Sequence, residues 1–176
     1  MNKITSVYGI YTKHPWDWYK VKKTATRMVQ LKEPFDRICF GANPVNGIEP
    51  TIATKFKVIV NVSCDPGTSF YPSFLGQTMY WYPLTETGPF EEKALYWFKR
   101  VMDYHFNRGD TIYVHCEFGL SRSPTILNSW LQSRGLTDKQ ADEQTNGSNK
   151  RLIMDQKISE LYRAMNKYPD KGFDEI

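Results

Sequence analysis

Lys57-Val58-Ile59-Val60-Asn61-Val62 is β-branched and apolar on consecutive positions through Val58-Ile59-Val60, and Asp65-Pro66-Gly67 follows it. A β-branched run without alternation predicts a strand buried on both faces, and Asp-Pro-Gly is turn chemistry. Arg37-Ile38-Cys39-Phe40-Gly41 reads as a shorter strand ending at a glycine. Gln77 to Tyr82 is an aromatic-rich strand candidate, and Thr111-Ile112-Tyr113-Val114 is a fourth. Between the last two the period changes. Over 89–107, Leu95, Phe98, Val101, Met102 and His105 fall on one helical face, and Arg108-Gly109-Asp110 ends the helix.

A second helix is predicted through Ile126-Leu127-Asn128-Ser129-Trp130-Leu131 to Gly135. A third follows Thr137, with Asp138 in its first turn, and a fourth spans 153–165 with Ile158, Leu161 and Met165 on one face. Asn146-Gly147-Ser148-Asn149 breaks the chain between them, and 169–176 reads as a loose tail. Strands alternating with helices predict an α/β fold, a mainly parallel central sheet flanked by helices. Residues 1–35 show little periodicity. Their aromatic stretch His14-Pro15-Trp16-Asp17-Trp18-Tyr19 reads as core-capping and Lys20 to Lys23 as a solvated face. The expected organisation is an N-terminal extension over 1–35 packed on one globular unit over 36–176.

A chain of 176 residues can bury a sizeable core. The net charge of +4 is dispersed, which suits anionic substrates without choosing among phosphoprotein, RNA and phospholipid. Cys39, Cys64 and Cys116 form no disulfide framework, which points to free thiols in a reducing, cytoplasmic setting. The first residues lack an apolar signal core, and no apolar run approaches the roughly 20 residues that span a bilayer. No Cys/His cluster has zinc-site spacing.

The chemistry concentrates in His115-Cys116-Glu117-Phe118-Gly119-Leu120-Ser121-Arg122-Ser123-Pro124, between a predicted strand and a predicted helix. A loop entering a helix N-terminus turns unpaired backbone N–H groups and the positive helix end toward one point, so it favours an anion. A thiol at its mouth is set up to react as the thiolate. Arg122 offers a planar fork for two phosphate oxygens, and Gly119 lets the backbone turn inward. The bland alternative treats Cys116 as a small buried hydrophobe at a strand end, since a cysteine six residues before an arginine also occurs by chance.

The stretch resembles the phosphate-binding loop of the cysteine-dependent phosphatases, His-Cys-x5-Arg-Ser/Thr. Its Gly119-Leu120-Ser121-Arg122-Ser123 half is most similar to the dual-specificity branch of the protein tyrosine phosphatase superfamily, of the small atypical type. The resemblance spans about 36–165. It implies hydrolysis of phosphotyrosine, phosphoserine and phosphothreonine through a phosphocysteine on Cys116, with no metal or organic cofactor. Arg122 and the backbone of Glu117 to Arg122 would bind phosphate. Ser123 would donate to the sulfur, His115 would support the loop structurally, and Ser121 would serve as a loop or cap residue. The family's general acid, an aspartate, sits about thirty residues before the cysteine; here Glu86 stands thirty residues before Cys116. Asp65, Glu91 and Glu92 remain alternatives. Cys64 is either a redox partner of Cys116, as in some relatives, or an ordinary thiol near a strand end.

Two departures stand out: Glu86 in place of aspartate, and Phe118 where many relatives carry alanine. The loop also lacks the lysines of phosphoinositide-specific relatives. The expected partner is a phosphorylated protein, with no membrane insertion. Two other functions stay open, an RNA 5′-phosphatase of the same superfamily and a catalytically weak phosphate-binding module. A rhodanese-like phosphatase loop is similar too, but the second half of this one favours the dual-specificity fold.

Overall fold

The computed structural model describes residues 28–42, 55–63, 77–84, 92–116, 122–145, 163, 165 and 166. The strands are β1 (Met28–Gln30), β2 (Ile38–Gly41), β3 (Val58–Asn61), β4 (Thr78–Trp81) and β5 (Ile112–His115). The helices are α1 (Glu92–Arg108), α2 (Arg122–Ser133) and α3 (Asp138–Thr145). The five strands form one sheet in the order β1-β2-β5-β3-β4. All neighbours are parallel except β1, which pairs antiparallel with β2 at one edge.

The register explains the apolar runs. Ile38, Val58 and Ile112 lie side by side, as do Phe40, Val60 and Val114. These residues, with Tyr80, enter the large core that Leu95, Phe98, Val101 and Met102 of α1 and Ile126, Leu127, Trp130 and Leu131 of α2 complete. Positions one residue along (Cys39, Ile59, Met79 and Tyr113) form a second buried cluster with Phe56 on the opposite face. Both faces are therefore covered, as a parallel sheet requires. Each fully buried Leu, Ile or Phe contributes roughly 1.5–3 kcal/mol.

Local signals set the helix ends. At Gly109 (φ 81°) the amides of Gly109 and Asp110 return to the carbonyls of Phe106 and His105; at Gly135 (φ 98°) those of Gly135 and Leu136 return to Gln132 and Leu131. Both are Schellman ends, which need the left-handed conformation that glycine adopts freely. Thr137 opens α3 through a capping box: its Oγ1 accepts from the Gln140 amide at 3.2 Å, and Gln140 Oε1 accepts from the Thr137 amide at 2.9 Å.

The helix pattern predicted over 89–107 corresponds to α1. Of the helix expected over 153–165, the described residues are Arg163 and Met165; both are helical, and Met165 is buried. Strand β1 has no counterpart in the sequence reading. Three residues, one of them the exposed Gln30, are too few to show a period. Leu31 and Phe35, just beyond β1, are buried in the large core.

Candidate active site

Strand β5 lies at the centre of the sheet, and its last residue, His115, leads into Cys116. Residues 117–121 fall outside the described residues, and α2 begins at Arg122. The candidate site therefore stands at the C-terminal ends of the parallel strands and at a helix N-terminus, where open α/β sheets place their ligands.

Cys116, Arg122 and Ser123 are brought together there, each at most 6% exposed. Cys116 Sγ is 3.4 Å from Ser123 Oγ. The same hydroxyl lies 3.5 Å from the Gly41 carbonyl at the end of β2. Arg122 Nη1 donates to the Leu84 carbonyl at 3.2 Å, which ties the guanidinium to the chain leaving β4, two residues before Glu86. That chain follows β3: the amides of Tyr82 and Leu84 donate to the carbonyls of Asn61 and Val62.

His115 is fully buried and donates from Nδ1 to the Cys116 carbonyl at 3.1 Å. Burial lowers its pKa to about 4, with the Cys116 hydrogen bond opposing. The ring is neutral at physiological pH, and its Nε2 is buried with no hydrogen-bond partner among the described residues. It lies against Tyr113, the ring centroids 5.8 Å apart.

Several residues of the site's surroundings carried no sequence signal. The Tyr113 hydroxyl donates to the Ala42 carbonyl at 2.6 Å. Burial first, then the neighbouring Cys116 and Cys39, hold this phenol well above its usual pKa, so it remains a donor. Asn61 Oδ1 accepts from both the amide and the hydroxyl of Ser63, and Trp81 Nε1 donates to the Ser63 carbonyl at 2.8 Å. Together these bonds fix the ends of β2, β3 and β4 around His115. An aromatic or an asparagine in a strand run does not announce which distant carbonyl or turn it will reach.

Glu86, Asp65, Glu91 and Cys64 lie outside the described residues, as do Glu117, Phe118, Gly119, Leu120 and Ser121. Glu92 is the first residue of α1. Cys39 is buried in β2, and burial pushes its thiol up against the opposing influence of Lys55, which suits packing rather than chemistry. Among the described residues, no group of three His, Cys, Asp or Glu side chains could hold a metal ion, and no helix is long and apolar enough to cross a membrane.

No protein-family model matches the sequence, and no curated protein matches it. Solved structures do. Tk-PTP in its active form matches with a TM-score of 0.58 at 21% identity, over 74% of this chain and 92% of that one. Human DUSP28 matches at 0.59 and 19% identity, over 74% and 94%. PTPMT1 in complex with PI(5)P reaches 0.62, at 16% identity over 80% and 97%. The chain thus has the fold of the small dual-specificity phosphatases, a mostly parallel five-stranded sheet with flanking helices.

Proposed function

We propose that this chain is a cysteine-dependent phosphatase of dual specificity, hydrolysing phosphotyrosine, phosphoserine and phosphothreonine on proteins. The observation that carries the reading is the Cys116 Sγ to Ser123 Oγ distance of 3.4 Å, at a helix N-terminus opened by a buried arginine. A thiol, a guanidinium and a hydroxyl donor converge there beyond a central parallel strand.

In this reading the Cys116 thiolate attacks phosphorus while Arg122 holds two equatorial oxygens and follows the charge into the transition state. The carboxyl group of Glu86 protonates the departing oxygen. In the second step water attacks phosphorus, its proton passes to the Glu86 carboxylate, and the S–P electron pair returns to sulfur. The Ser123 hydroxyl, donating to that sulfur, stabilises it as a leaving group. Neutral His115 shapes the loop from below through the Cys116 carbonyl. Cys64 is the proposed reserve thiol against over-oxidation of Cys116.

The test is hydrolysis of a small aryl phosphate across pH by wild type, Cys116→Ser and Glu86→Gln, with reductant and chelator present. The expected outcome is turnover by wild type, none by the serine variant, and loss of both rate and the alkaline limb in the glutamine variant. Full activity in Cys116→Ser would sink the phosphocysteine mechanism. Wild-type behaviour in Glu86→Gln would move the acid elsewhere. Phosphopeptides, vesicles carrying PI(5)P and 5′-phosphorylated RNA then serve as parallel substrates. A preference for lipid or RNA would overturn the protein-substrate part alone.

A further inference from the structure

One hydroxyl near the thiol has two acceptors and one proton. Ser123 Oγ lies 3.4 Å from Cys116 Sγ and 3.5 Å from the Gly41 carbonyl. Where the proton points depends on the charge at sulfur and on where the Gly41 carbonyl is held. While sulfur is esterified to phosphorus it is a poor acceptor, and the carbonyl is the better partner. As the S–P bond breaks, the electron pair returns to sulfur and the hydroxyl can swing toward it. This exchange helps the second step only if the carbonyl stays at the edge of hydrogen-bond range. Closer, it would keep the proton; farther, it would leave the hydroxyl without its resting partner.

The sheet holds Gly41 through its register partners, Met28 of β1 and His115 of β5. The strand ends at Gly41, a residue with no side chain to anchor it. A further anchor, one residue along, comes from a β5 side chain. Tyr113, completely buried, reaches across the parallel pair and donates its hydroxyl to the Ala42 carbonyl at 2.6 Å, one residue past Gly41. Its ring cannot swing away, since it is packed between Phe56 (centroids 5.3 Å) and His115 (5.8 Å). The carbonyls of Gly41 and Ala42, adjacent along the chain, thus accept from two hydroxyls on either side of Cys116 in sequence, those of Ser123 and Tyr113.

We infer that Tyr113 is a positioning residue for breakdown of the phosphocysteine. By holding the chain at Ala42 it restrains the Gly41 carbonyl, and through it the aim of the Ser123 hydroxyl at Cys116. Tyr113 acts through Ser123, and its influence is confined to the step in which sulfur leaves. The inference rests on the proposed phosphocysteine reading.

Rapid-mixing kinetics with an aryl phosphate separate the two steps. The initial burst of phenol reports cysteine phosphorylation, and the steady rate reports breakdown of the phosphoenzyme. The expected result for Tyr113→Phe is a burst rate within about twofold of wild type and a steady rate lowered about 2- to 12-fold, the worth of one hydrogen bond. The double variant Tyr113→Phe/Ser123→Ala should be no slower than Ser123→Ala alone, because the tyrosine acts only through that serine. Equal slowing of both steps in Tyr113→Phe, or losses that multiply in the double variant, would overturn the inference in favour of a purely structural tyrosine. If Tyr113→Phe does not fold, Tyr113→Met tests the same lost hydroxyl with a side chain that adapts to gaps. Failure of both to fold would equally make the hydroxyl structural. A wild type that turns over without a labelled phosphoenzyme would refute the underlying mechanism instead, before any variant is made.

Discussion

The two ends of the sheet each bury a histidine, and they treat it oppositely. Before β3 and β5, His105 donates from Nδ1 to Asp110 Oδ2 at 2.8 Å, and its Nε2 lies 3.0 Å from the Tyr80 hydroxyl. Lys57 closes on the other carboxylate oxygen of Asp110 at 3.1 Å. Burial lowers the pKa of His105 against the pull of Asp110. For Asp110 burial works the other way, yet the hydrogen bonds from His105 and Lys57 prevail and hold the carboxyl below its usual range. The phenol of Tyr80 is pushed up to about 12, chiefly by burial. A neutral imidazole thus sits between a carboxylate and a phenol, with both nitrogens engaged.

At the C-terminal ends, among the described residues, His115 uses one nitrogen only, and its Nε2 has no partner. The Tyr82 hydroxyl, just past β4, and Thr125 Oγ1, in the first turn of α2, are likewise buried without partners among the described residues. Each such group costs about 1–3 kcal/mol. A closed network joins elements and makes no demand for a ligand. Several such groups stand, among the described residues, at the end that carries the thiol and the guanidinium, and functional sites are where such costs are retained.

Exchanging one side chain at each end tests this division most strongly. Arg122→Lys keeps the charge but loses the planar fork, and kcat/KM should fall about 10²–10³-fold, the cost of one aimed donor at an oxyanion. Asp110→Asn should leave kcat per folded molecule unchanged and lower unfolding stability by about 1.5–3 kcal/mol, because it weakens hydrogen bonds to a charge. Kinetics and urea melts on both variants provide the readout. A large activity loss in Asp110→Asn would mean that the two ends are coupled.

How much of this division could be read beforehand depended on range. The predicted strands and helices correspond to β2 through β5 and α1 through α3, because period, glycine and capping signals act over a few residues. The Cys116–Arg122–Ser123 group lies within eight consecutive residues, so the chain itself brings it together. The links between elements were silent. His105 read only as one position on a helical face and Asp110 only as a helix end, though β4 supplies the phenol that completes their network. Tyr113 and Ala42 are 71 residues apart, and only the parallel pairing of β2 with β5 makes them neighbours. Strand β1 was missed because an edge of three residues takes its identity from its partner.

Acid should expose the unsatisfied histidine next. An unfolded chain protonates His115 near pH 6.5, whereas the folded protein keeps it neutral down to about 4. Between those values the unfolded state binds the proton and the native state does not, so stability falls as pH drops through that window. The full separation corresponds to about 3 kcal/mol, and His105, also lowered, adds in the same direction. Urea midpoints measured from pH 7.5 to 4 should decline, and His115→Asn should remove most of the decline whatever its stability at pH 7.5. An unchanged slope in that variant would show that His115 is not the group responsible.

The finest test uses two stacked tyrosines, Tyr80 and Tyr82, whose ring centroids are 6.2 Å apart. Their hydroxyls differ: that of Tyr80 meets His105, and that of Tyr82 has no hydrogen-bond partner among the described residues. Burial raises both phenols, so neither ionises near neutrality. Tyr80→Phe leaves His105 Nε2 without its donor and should cost about 1 kcal/mol, a typical net hydrogen bond. Tyr82→Phe removes a buried polar atom that has no partner to lose, and stability should stay level or rise. The same chemical deletion, two residues apart along β4 and the chain leaving it, should therefore cost stability in one case and not in the other. Equal losses would mean that the Tyr82 hydroxyl has a partner in solution, and the open character assigned to this end of the sheet would then rest on His115 and Thr125 alone.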